Sequence, residues 1–322
     1  MSAERGPTLV EACRGALDER MADDPRITVL GEDVAVGGPF GLTKGLAESH
    51  GPDRVRNTPI SEGAVMGVSI GLALGGRRPF VDLMFSDFLT AASDQLFNHA
   101  AKIHFMSGGR TSVPLTVWTV AGAGTRWGAQ HSQRLDGWLS QVPGLKVLAP
   151  SSPAAAAASL TAALDDPDPV VVVADRSLLY RRDPLPGDGS ASPWFPRVVQ
   201  PGGAVTVVAT GRLVHLALEA ATSVAEIEIV DLQRLAPLAL EPVVASVGRT
   251  GRLLVLHDEA ATGAVGAAVA AAVGRSAFWS LDAPVQVLSS PATPVPAAPV
   301  LEDAFVLTAD DVAVALKELV AS

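Results

Sequence analysis

The chain has 322 residues, a net charge of −10 and a hydrophobic fraction of 48%. Its length predicts two domains, and its acidity, without a basic cluster, argues against a nucleic-acid partner. A single cysteine, Cys13, excludes a disulfide framework and a cysteine-ligated iron–sulfur cluster within the chain. The longest apolar runs are too short and too rich in Gly and Ala for a membrane span. We therefore expect the excess apolar surface to form subunit interfaces.

The beginning of the sequence carries charged residues, Glu4, Arg5 and Glu11, before any hydrophobic run. This pattern is unlike a secretory signal. We expect a cytoplasmic protein without a membrane partner.

Strand and helix patterns alternate through about the first 174 residues. The predicted strands are Ile27 to Leu30, Phe80 to Met84, Val113 to Val117, Leu145 to Leu148 and Val170 to Val173. The predicted helices are Gly63 to Gly76, Asp87 to Phe105, Ser132 to Gln141 and Pro153 to Leu164. Pro153 suits a first turn that Ser151 or Ser152 would cap. Helices of this length between strands predict a parallel sheet covered on both faces.

Beyond the first unit, prolines, glycines and charges accumulate from Asp175 to Gly203, which is typical of a linker. A second α/β pattern follows. Its predicted elements are Val205 to Ala209, Val214 to Ala221, Ile227 to Val230, Pro242 to Val247, Leu253 to Leu256, an Ala-rich helix after Thr262 and a last helix started by Asp310 or Asp311. We predict an α/β fold with domains over residues 1–175 and 204–322 and a linker over 176–203.

One carboxylate is placed unusually in the segment Thr58-Pro59-Ile60-Ser61-Glu62. Pro59 keeps the residue before it extended and Ser61 can cap a helix, so Glu62 is predicted among the first helical residues. The run that follows is apolar all round and uncharged until Arg77, which indicates an interior helix. A carboxylate at a buried helix end is costly without a partner, so we expect one. A surface acid that complements the helix dipole is the alternative.

His131 lies in a loop that Gly122, Gly124 and Gly128 make mobile or tightly turned. Its neighbours in the sequence are polar, and a histidine in such a loop is a candidate proton donor or orienting group. A helix-capping or merely exposed histidine is the alternative.

Acidic residues also follow the Pro153 to Leu164 helix, as Asp165, Asp166 and Asp168. Acids at a helix C-terminus oppose its dipole, and carboxylates beside exposed carbonyls suit a hard cation. A solvated loop is the alternative.

Several motifs occur in a characteristic order along the chain. They are Gly31-Glu32-Asp33, Thr58 to Glu62, Asp94-Gln95, Gln130-His131-Ser132-Gln133 and Pro143-Gly144-Leu145-Lys146-Val147. Together they resemble the β subunit of the thiamine-diphosphate-dependent 2-oxoacid dehydrogenases, the pyruvate and branched-chain type of the transketolase superfamily. The resemblance covers nearly the whole chain and is dense through about Val173. It implies a transketolase-like pyrimidine-binding domain followed by a smaller transketolase C-terminal-like domain.

The resemblance also implies roles for individual residues. Glu62 matches the glutamate that activates the cofactor through a hydrogen bond to its pyrimidine ring. His131 matches a histidine near the reacting carbon and the incoming lipoyl group. Ile60, Met84 and Phe88 are candidates to hold the flat ring by apolar contact and stacking, and at the position of Phe88 the family has an aromatic residue that faces this ring. For Phe88, and for Phe85 close to it in the sequence, a plain core position is the alternative.

A structural potassium ion is a further feature that the family often contains. The positions of this chain that would hold it are Leu115, Thr116, Ala163, Asp166 and Asp168. The family usually has asparagine where this chain has Asp168.

The magnesium–diphosphate motif of thiamine enzymes begins with Gly-Asp-Gly and needs an asparagine further on. Gly187-Asp188-Gly189 has no such asparagine, because Asn57 and Asn98 are the only ones and both precede it. We interpret the triplet as a coincidence. The resemblance then implies that an α subunit holds magnesium and the diphosphate.

The sequence thus predicts the β subunit of an α2β2 oxidoreductase, active only with its α partner. It would decarboxylate a 2-oxoacid and pass the acyl group to a lipoyl-bearing acyltransferase or another acyl carrier. A two-component transketolase-like enzyme that transfers a two-carbon ketol unit is the alternative, and a non-catalytic scaffold subunit is another. The family usually has an arginine and a proline at or near Trp118 and Val120 and an arginine near Val287, all of which this chain lacks, and Ala292 replaces a usual aspartate. We therefore expect differences in the substrate pocket or the subunit contacts.

Overall fold

The computed structural model describes residues 6–186, 188 and 192–322. Within them the strands are β1 (Ile27–Gly31), β2 (Val55–Asn57), β3 (Arg78–Phe85), β4 (Thr116–Ala121), β5 (Lys146–Leu148), β6 (Val170–Asp175), β7 (Arg197–Gln200), β8 (Val205–Ala209), β9 (Ile227–Asp231), β10 (Arg234–Ala236), β11 (Leu253–Ala260) and β12 (Gln286–Ser290). The helices are α1 (Leu9–Asp23), α2 (Leu46–His50), α3 (Glu62–Leu74), α4 (Leu89–Ser93), α5 (Ala101–Met106), α6 (Asp136–Ser140), α7 (Pro153–Asp165), α8 (Arg212–Ala220), α9 (Glu241–Thr250), α10 (Val265–Ser276), α11 (Pro299–Phe305) and α12 (Ala309–Ala321).

Two sheets organise these elements. The first has the order β10-β5-β6-β4-β3-β1-β2 and the second the order β12-β11-β8-β9-β7. All neighbours in the first sheet are parallel except β10 and β5, and in the second all except β7 and β9. The predicted α/β fold with a parallel sheet is confirmed. Within the described residues, no helix combines the length and the apolar character that crossing a bilayer requires.

Packing on both faces of the first sheet explains why its strands are apolar throughout. On one face α1 and α7 cover the sheet, with Leu17 and Leu160 in the same buried cluster. On the other face, Met66 of α3 belongs to a cluster that continues into the second unit through Val255 and Val269. The two units are therefore joined by an apolar core, and β10 from the second half of the chain extends the first sheet.

Some predicted elements are displaced in the structure. The strand predicted from Val113 begins only at Thr116, because Pro114 has no N–H to give to a ladder. The strand β7 lies inside the predicted linker, where it pairs with β9. The last helix is capped by Thr308, which accepts from the amide of Asp311 in a capping box.

Two predicted helices are shorter or interrupted. Only Asp136–Ser140 is helical in the segment predicted from Ser132. The long helix predicted from Asp87 is divided, with a π-helix over Asp94–Ala100 between α4 and α5. A π-helix places its side chains at a different angle from an α-helix and is frequent at functional sites.

The apolar helix α3 is not fully interior in this chain. Val68 is 57% exposed and Leu74 is 48% exposed, whereas Met66 and Ile70 on the opposite face are buried against β3. Because apolar residues lie on both faces of α3, the sequence predicted that both faces are buried. The described residues cover only one of them.

Candidate active site

A pocket opens where the carboxyl ends of β1 and β3 meet the first turn of α3. Its lining residues are Gly31, Glu32, Thr58, Pro59, Ile60, Ser61, Glu62, Val65, Asp82, Leu83, Met84 and Phe88. Carboxyl ends of parallel strands are where open α/β sheets bind ligands. The pocket brings together the four residues for which the sequence predicted cofactor contact, which are Ile60, Glu62, Met84 and Phe88.

Glu62 is the first residue of α3 and is half-buried. Ser61 occupies the predicted N-cap position. The prediction that its side chain caps the helix is wrong, because the side chain makes no capping hydrogen bond. The Glu62 carboxylate has no hydrogen-bond or ion-pair partner within residues 6–186, 188 and 192–322. Its acceptor oxygens are therefore left for a group that enters the pocket.

The lining of the pocket suits one end of a thiamine cofactor and not the other. Ile60, Met84 and Phe88 offer apolar and aromatic surface to a flat ring, and Glu62 offers a carboxyl group that can share a proton with a ring nitrogen. The ionisable lining residues are all carboxylic acids, Glu32, Glu62 and Asp82. A diphosphate would be repelled here, because like charges in a partly buried site are costly. Ile60 is 75% exposed, which leaves one side of the pocket open.

His131 packs against the aromatic residues beside this pocket. Its ring centroid lies 5.0 Å from that of Phe85 and 5.6 Å from that of Phe88, both edge-on. Trp127, from the same glycine-rich loop, lies 5.3 Å from Phe85 and is 53% exposed. The two residues for which the sequence predicted catalysis, Glu62 and His131, are thus linked through Phe88, which lines the pocket.

Arg176 positions the His131 loop and was not predicted. Its guanidinium donates to the carbonyl oxygens of His131 and Gly122 and, at 2.9 Å, to the hydroxyl of Ser132. It also lies 5.6 Å from the ring centroid of Phe85. Arg176 falls in the predicted linker, so no local pattern distinguished it from other charged residues there.

Glu302 of α11 fixes the same loop from the second unit. This fully buried carboxylate accepts from the backbone N–H of Gly124 at 2.7 Å and from that of Arg126 at 2.9 Å. The Arg126 guanidinium adds a bond of 2.8 Å. Buried carboxylates need such partners, and these three donors hold the glycine-rich loop close to α11.

The predicted potassium positions lie at the other end of the sheet. Thr116 begins β4, and Asp166 and Asp168 follow α7. The Lys146 ammonium lies 2.7 Å from one Asp166 carboxylate oxygen and 3.1 Å from Asp168, so the chain supplies a cation at this turn. The Leu115 carbonyl accepts from Val170, and that of Ala163 accepts from Asp166. Potassium at this turn stays a prediction. Because the two carbonyl oxygens already accept a backbone hydrogen bond, each would bind an ion only through its second lone pair.

Asp188, the centre of the Gly-Asp-Gly triplet, is engaged by residues of this chain. It accepts from the Ser152 hydroxyl and the Arg197 guanidinium, each at 2.7 Å. Gly187 and Gly189 lie outside the described residues.

A second acidic group lies where the two units meet. Glu259 of β11 accepts from the backbone N–H of Gly137 at 2.7 Å. Burial, together with the nearby Asp136 charge, raises the pKa of Glu259 to about 7. Glu259 is therefore a titratable contact between α6 of the first unit and β11 of the second.

We expect Glu259→Gln to increase thermal stability at alkaline pH. Because the pKa of Glu259 is higher in the folded state than in the unfolded state, protonation of Glu259 stabilises the folded protein. The stabilisation is complete below the unfolded pKa near 4.5 and is lost as pH rises through about 7. Glutamine stays neutral and keeps the oxygen that accepts from Gly137. Melting temperatures of the variant and the wild type at pH 5 and pH 8 test this. The melting temperature of the variant minus that of the wild type should be several degrees higher at pH 8 than at pH 5. An equal difference at both pH values would contradict the shifted titration.

Comparison with known proteins places the chain in a family. The pyrimidine-binding domain of transketolase matches residues 5–182, and the transketolase C-terminal domain matches residues 196–312. The β subunit of the acetoin:2,6-dichlorophenolindophenol oxidoreductase of Cupriavidus necator is 39% identical over 95% of each chain. The 2-oxoisovalerate dehydrogenase β subunit of Bacillus subtilis is 35% identical, over 96% of this chain and 97% of its own.

Two further comparisons agree with these. The pyruvate dehydrogenase E1 component β subunit of Rickettsia conorii is 36% identical over 97% of this chain and 98% of its own. The fold is similar to a solved split-gene transketolase, an inactive β4 tetramer, with a TM-score of 0.78, 24% identity and coverage of 98% and 99%. The chain therefore belongs to the family of 2-oxoacid dehydrogenase β subunits with transketolase-type domains, as its motifs predicted.

Proposed function

We propose that this chain is the β subunit of a heteromeric thiamine-diphosphate enzyme that decarboxylates a 2-oxoacid and passes the acyl group to a lipoyl carrier. The observation that carries the proposal is the Glu62 carboxylate, half-buried and without a partner in the described chain, beside an apolar and aromatic pocket. When bound, thiamine diphosphate would supply a carbon nucleophile for the carbonyl group of the substrate.

The residues of this chain contribute binding, proton transfer and positioning. Ile60, Met84 and Phe88 would hold the pyrimidine ring. Glu62 would hydrogen-bond to a pyrimidine nitrogen, donating while its carboxyl group is protonated and accepting once the proton has moved to the ring. His131, packed edge-on against Phe88, would orient the substrate or give it a proton.

The charged end of the cofactor and its magnesium ion belong, in this proposal, to an α subunit. Support comes from the purely acidic ionisable lining of the pocket and from its open side at Ile60. The exposed apolar residues of α3, Val68 and Leu74, together with Phe105 and Met106 at the end of α5, offer surface for obligate subunit contacts. An α2β2 assembly would cover these residues, and native mass spectrometry of the co-expressed pair measures its stoichiometry.

Acetoin is a second candidate substrate, because relatives at 39% and 37% identity are named as acetoin oxidoreductase β subunits. Acetoin, like a 2-oxoacid, has a breakable carbon–carbon bond next to a carbonyl. Its cleavage would release an aldehyde where a 2-oxoacid releases carbon dioxide, and the remaining unit would be oxidised to the acyl level by the lipoyl group or the dye. The pocket residues proposed above would serve both substrates.

Assays on the assembled pair test the proposed function. Pyruvate, a branched 2-oxoacid, acetoin and a ketose phosphate are supplied separately with a lipoyl acceptor or with 2,6-dichlorophenolindophenol. We expect acyl transfer or dye reduction with a 2-oxoacid or with acetoin. Ketose cleavage alone would favour the ketol-transfer alternative. An assembled pair that binds the cofactor but turns over none of the four would favour the scaffold alternative.

A further inference from the structure

We propose that Asp82 is a positioning residue of this site, whose hydrogen bond to the Met84 amide holds a bulge in β3 and so directs Met84 into the pyrimidine pocket. The inference rests on the proposed function, because it takes Met84 to be a cofactor contact. Asp82 itself was not predicted as a site residue.

The bulge is visible in the pairing of β3 with β4. Asp82 lies opposite Trp118 and Phe85 lies opposite Val120, so β3 carries one residue more than β4 over this stretch. Bulges of this kind redirect a side chain and are common next to active sites. Here the strand ends at the pocket, and Met84 is one of the lining residues.

The backbone of Met84 adopts a conformation that a long side chain rarely takes. Its φ is +56°, in the left-handed region where glycine and asparagine are usual. Such a conformation persists only when the surroundings impose it, and it is concentrated at functional sites.

Side chains of two strands hold this conformation. Asp82 Oδ1 accepts from the Met84 N–H at 3.0 Å, and the Thr119 hydroxyl of β4 donates to the Met84 carbonyl at 3.3 Å. Both bonds are made to Met84, the one residue of β3 whose φ is positive. The shorter one comes from Asp82, two residues earlier on the same strand.

The surroundings of Asp82 leave little freedom for its carboxyl group. Asp82 is 4% exposed, and a Cβ atom added at Gly38 would come within 3.2 Å of its Oδ2. Burial raises the pKa of Asp82 to about 6. The protonated and the ionised carboxyl both retain an acceptor oxygen for the Met84 amide. An apolar residue would avoid the cost of burying this group, but it would leave the Met84 N–H without an acceptor.

The test measures thiamine diphosphate affinity by calorimetry on the assembled pair with magnesium, alongside the melting temperature without cofactor. Asp82→Leu keeps the branched shape of the side chain but has no acceptor, and we expect it to weaken cofactor binding about tenfold, which corresponds to about 1.4 kcal/mol. Asp82→Asn is the matched control, because its amide oxygen can still accept from Met84. We expect its affinity to stay within about threefold of the wild type.

A double-mutant cycle separates positioning from a merely structural role. In a Met84→Ala background no long side chain remains to be directed, so Asp82→Leu should change cofactor affinity by less than about twofold. Its effect on the melting temperature should be the same in both backgrounds. An equal loss of affinity in both backgrounds would overturn the proposal, as would Asp82→Asn binding as weakly as Asp82→Leu.

Two further outcomes are distinguishable. If the wild-type pair binds no cofactor, the proposed function fails, whereas equal binding by wild type and Asp82→Leu refutes the positioning proposal only. If Asp82→Leu does not assemble, Asp82→Ala replaces it. Affinity of Asp82→Ala equal to that of Asp82→Asn would then refute the proposal.

Discussion

Glu62→Gln is expected to remove most of the activity of the assembled enzyme while leaving its fold and assembly nearly intact. Glutamine keeps the volume of the side chain and its capacity to hydrogen-bond, but its amide does not exchange a proton as a carboxyl group does. Loss of general acid–base help typically lowers a rate about a hundredfold or more. Proton exchange at the thiazolium carbon, measured in the assembled enzyme by NMR after a deuterium quench, should slow in parallel with turnover.

The control for this variant is Glu48→Gln. Glu48 is also an acid in the first turn of a helix, α2, but it is exposed and lies outside the pocket. If the helix dipole alone explained Glu62, both variants would behave alike, with small losses of stability and normal exchange. If Glu62→Gln reduced turnover but left proton exchange at the thiazolium carbon at the wild-type rate, cofactor activation by Glu62 would be contradicted. Glu62 would then act on the substrate.

The isolated chain is expected to bind thiamine diphosphate at least about a hundredfold more weakly than the assembled pair, because most of the electrostatic attraction in such a site comes from the metal ion. The pocket of this chain adds the carboxylic acids Glu32, Glu62 and Asp82, which oppose the diphosphate. Calorimetric titration of the chain by itself and of the co-expressed pair, both with magnesium, provides the comparison.

Micromolar affinity of the isolated chain would contradict the shared site. A circular dichroism spectrum of the isolated chain serves as the control, because weak binding is informative only if α/β secondary structure is present. Restored affinity on adding the separately purified α subunit would show that the missing contacts come from the partner.

Much of the first unit could be predicted from the sequence because its signals are local. The buried strands appear as short apolar runs, and β6 of the first sheet begins at Val170 as predicted. Pro153 and Ser152 begin α7 as the sequence indicated, with the Ser152 hydroxyl accepting from the amide of Ala155. These features depend on neighbours within a few residues, so periodicity and capping rules are sufficient to find them.

The placement of Glu62 at the start of α3 was also a local inference. The pentapeptide before the helix, its proline and the apolar run after it determine where the helix begins. The same reasoning failed over the segment predicted from Asp87 to Phe105, because the π-helix spans only Asp94–Ala100 and is too short for its wider turn to appear as a distinct hydrophobic pattern. Local patterns predict that a helix exists more reliably than they predict its hydrogen bonding.

The sequence by itself determined the α/β class, the family motifs and the candidate residues Glu62 and His131. Only the tertiary structure decided how the His131 loop is held, since Glu302 is 178 residues from Gly124 and Arg176 is 45 from His131. It also decided that β10 joins the first sheet and that Asp82 supports Met84 through a bulge in β3. Such contacts depend on which surfaces the completed sheets bring together, and buried polar groups far apart in the chain leave no periodic pattern before they meet.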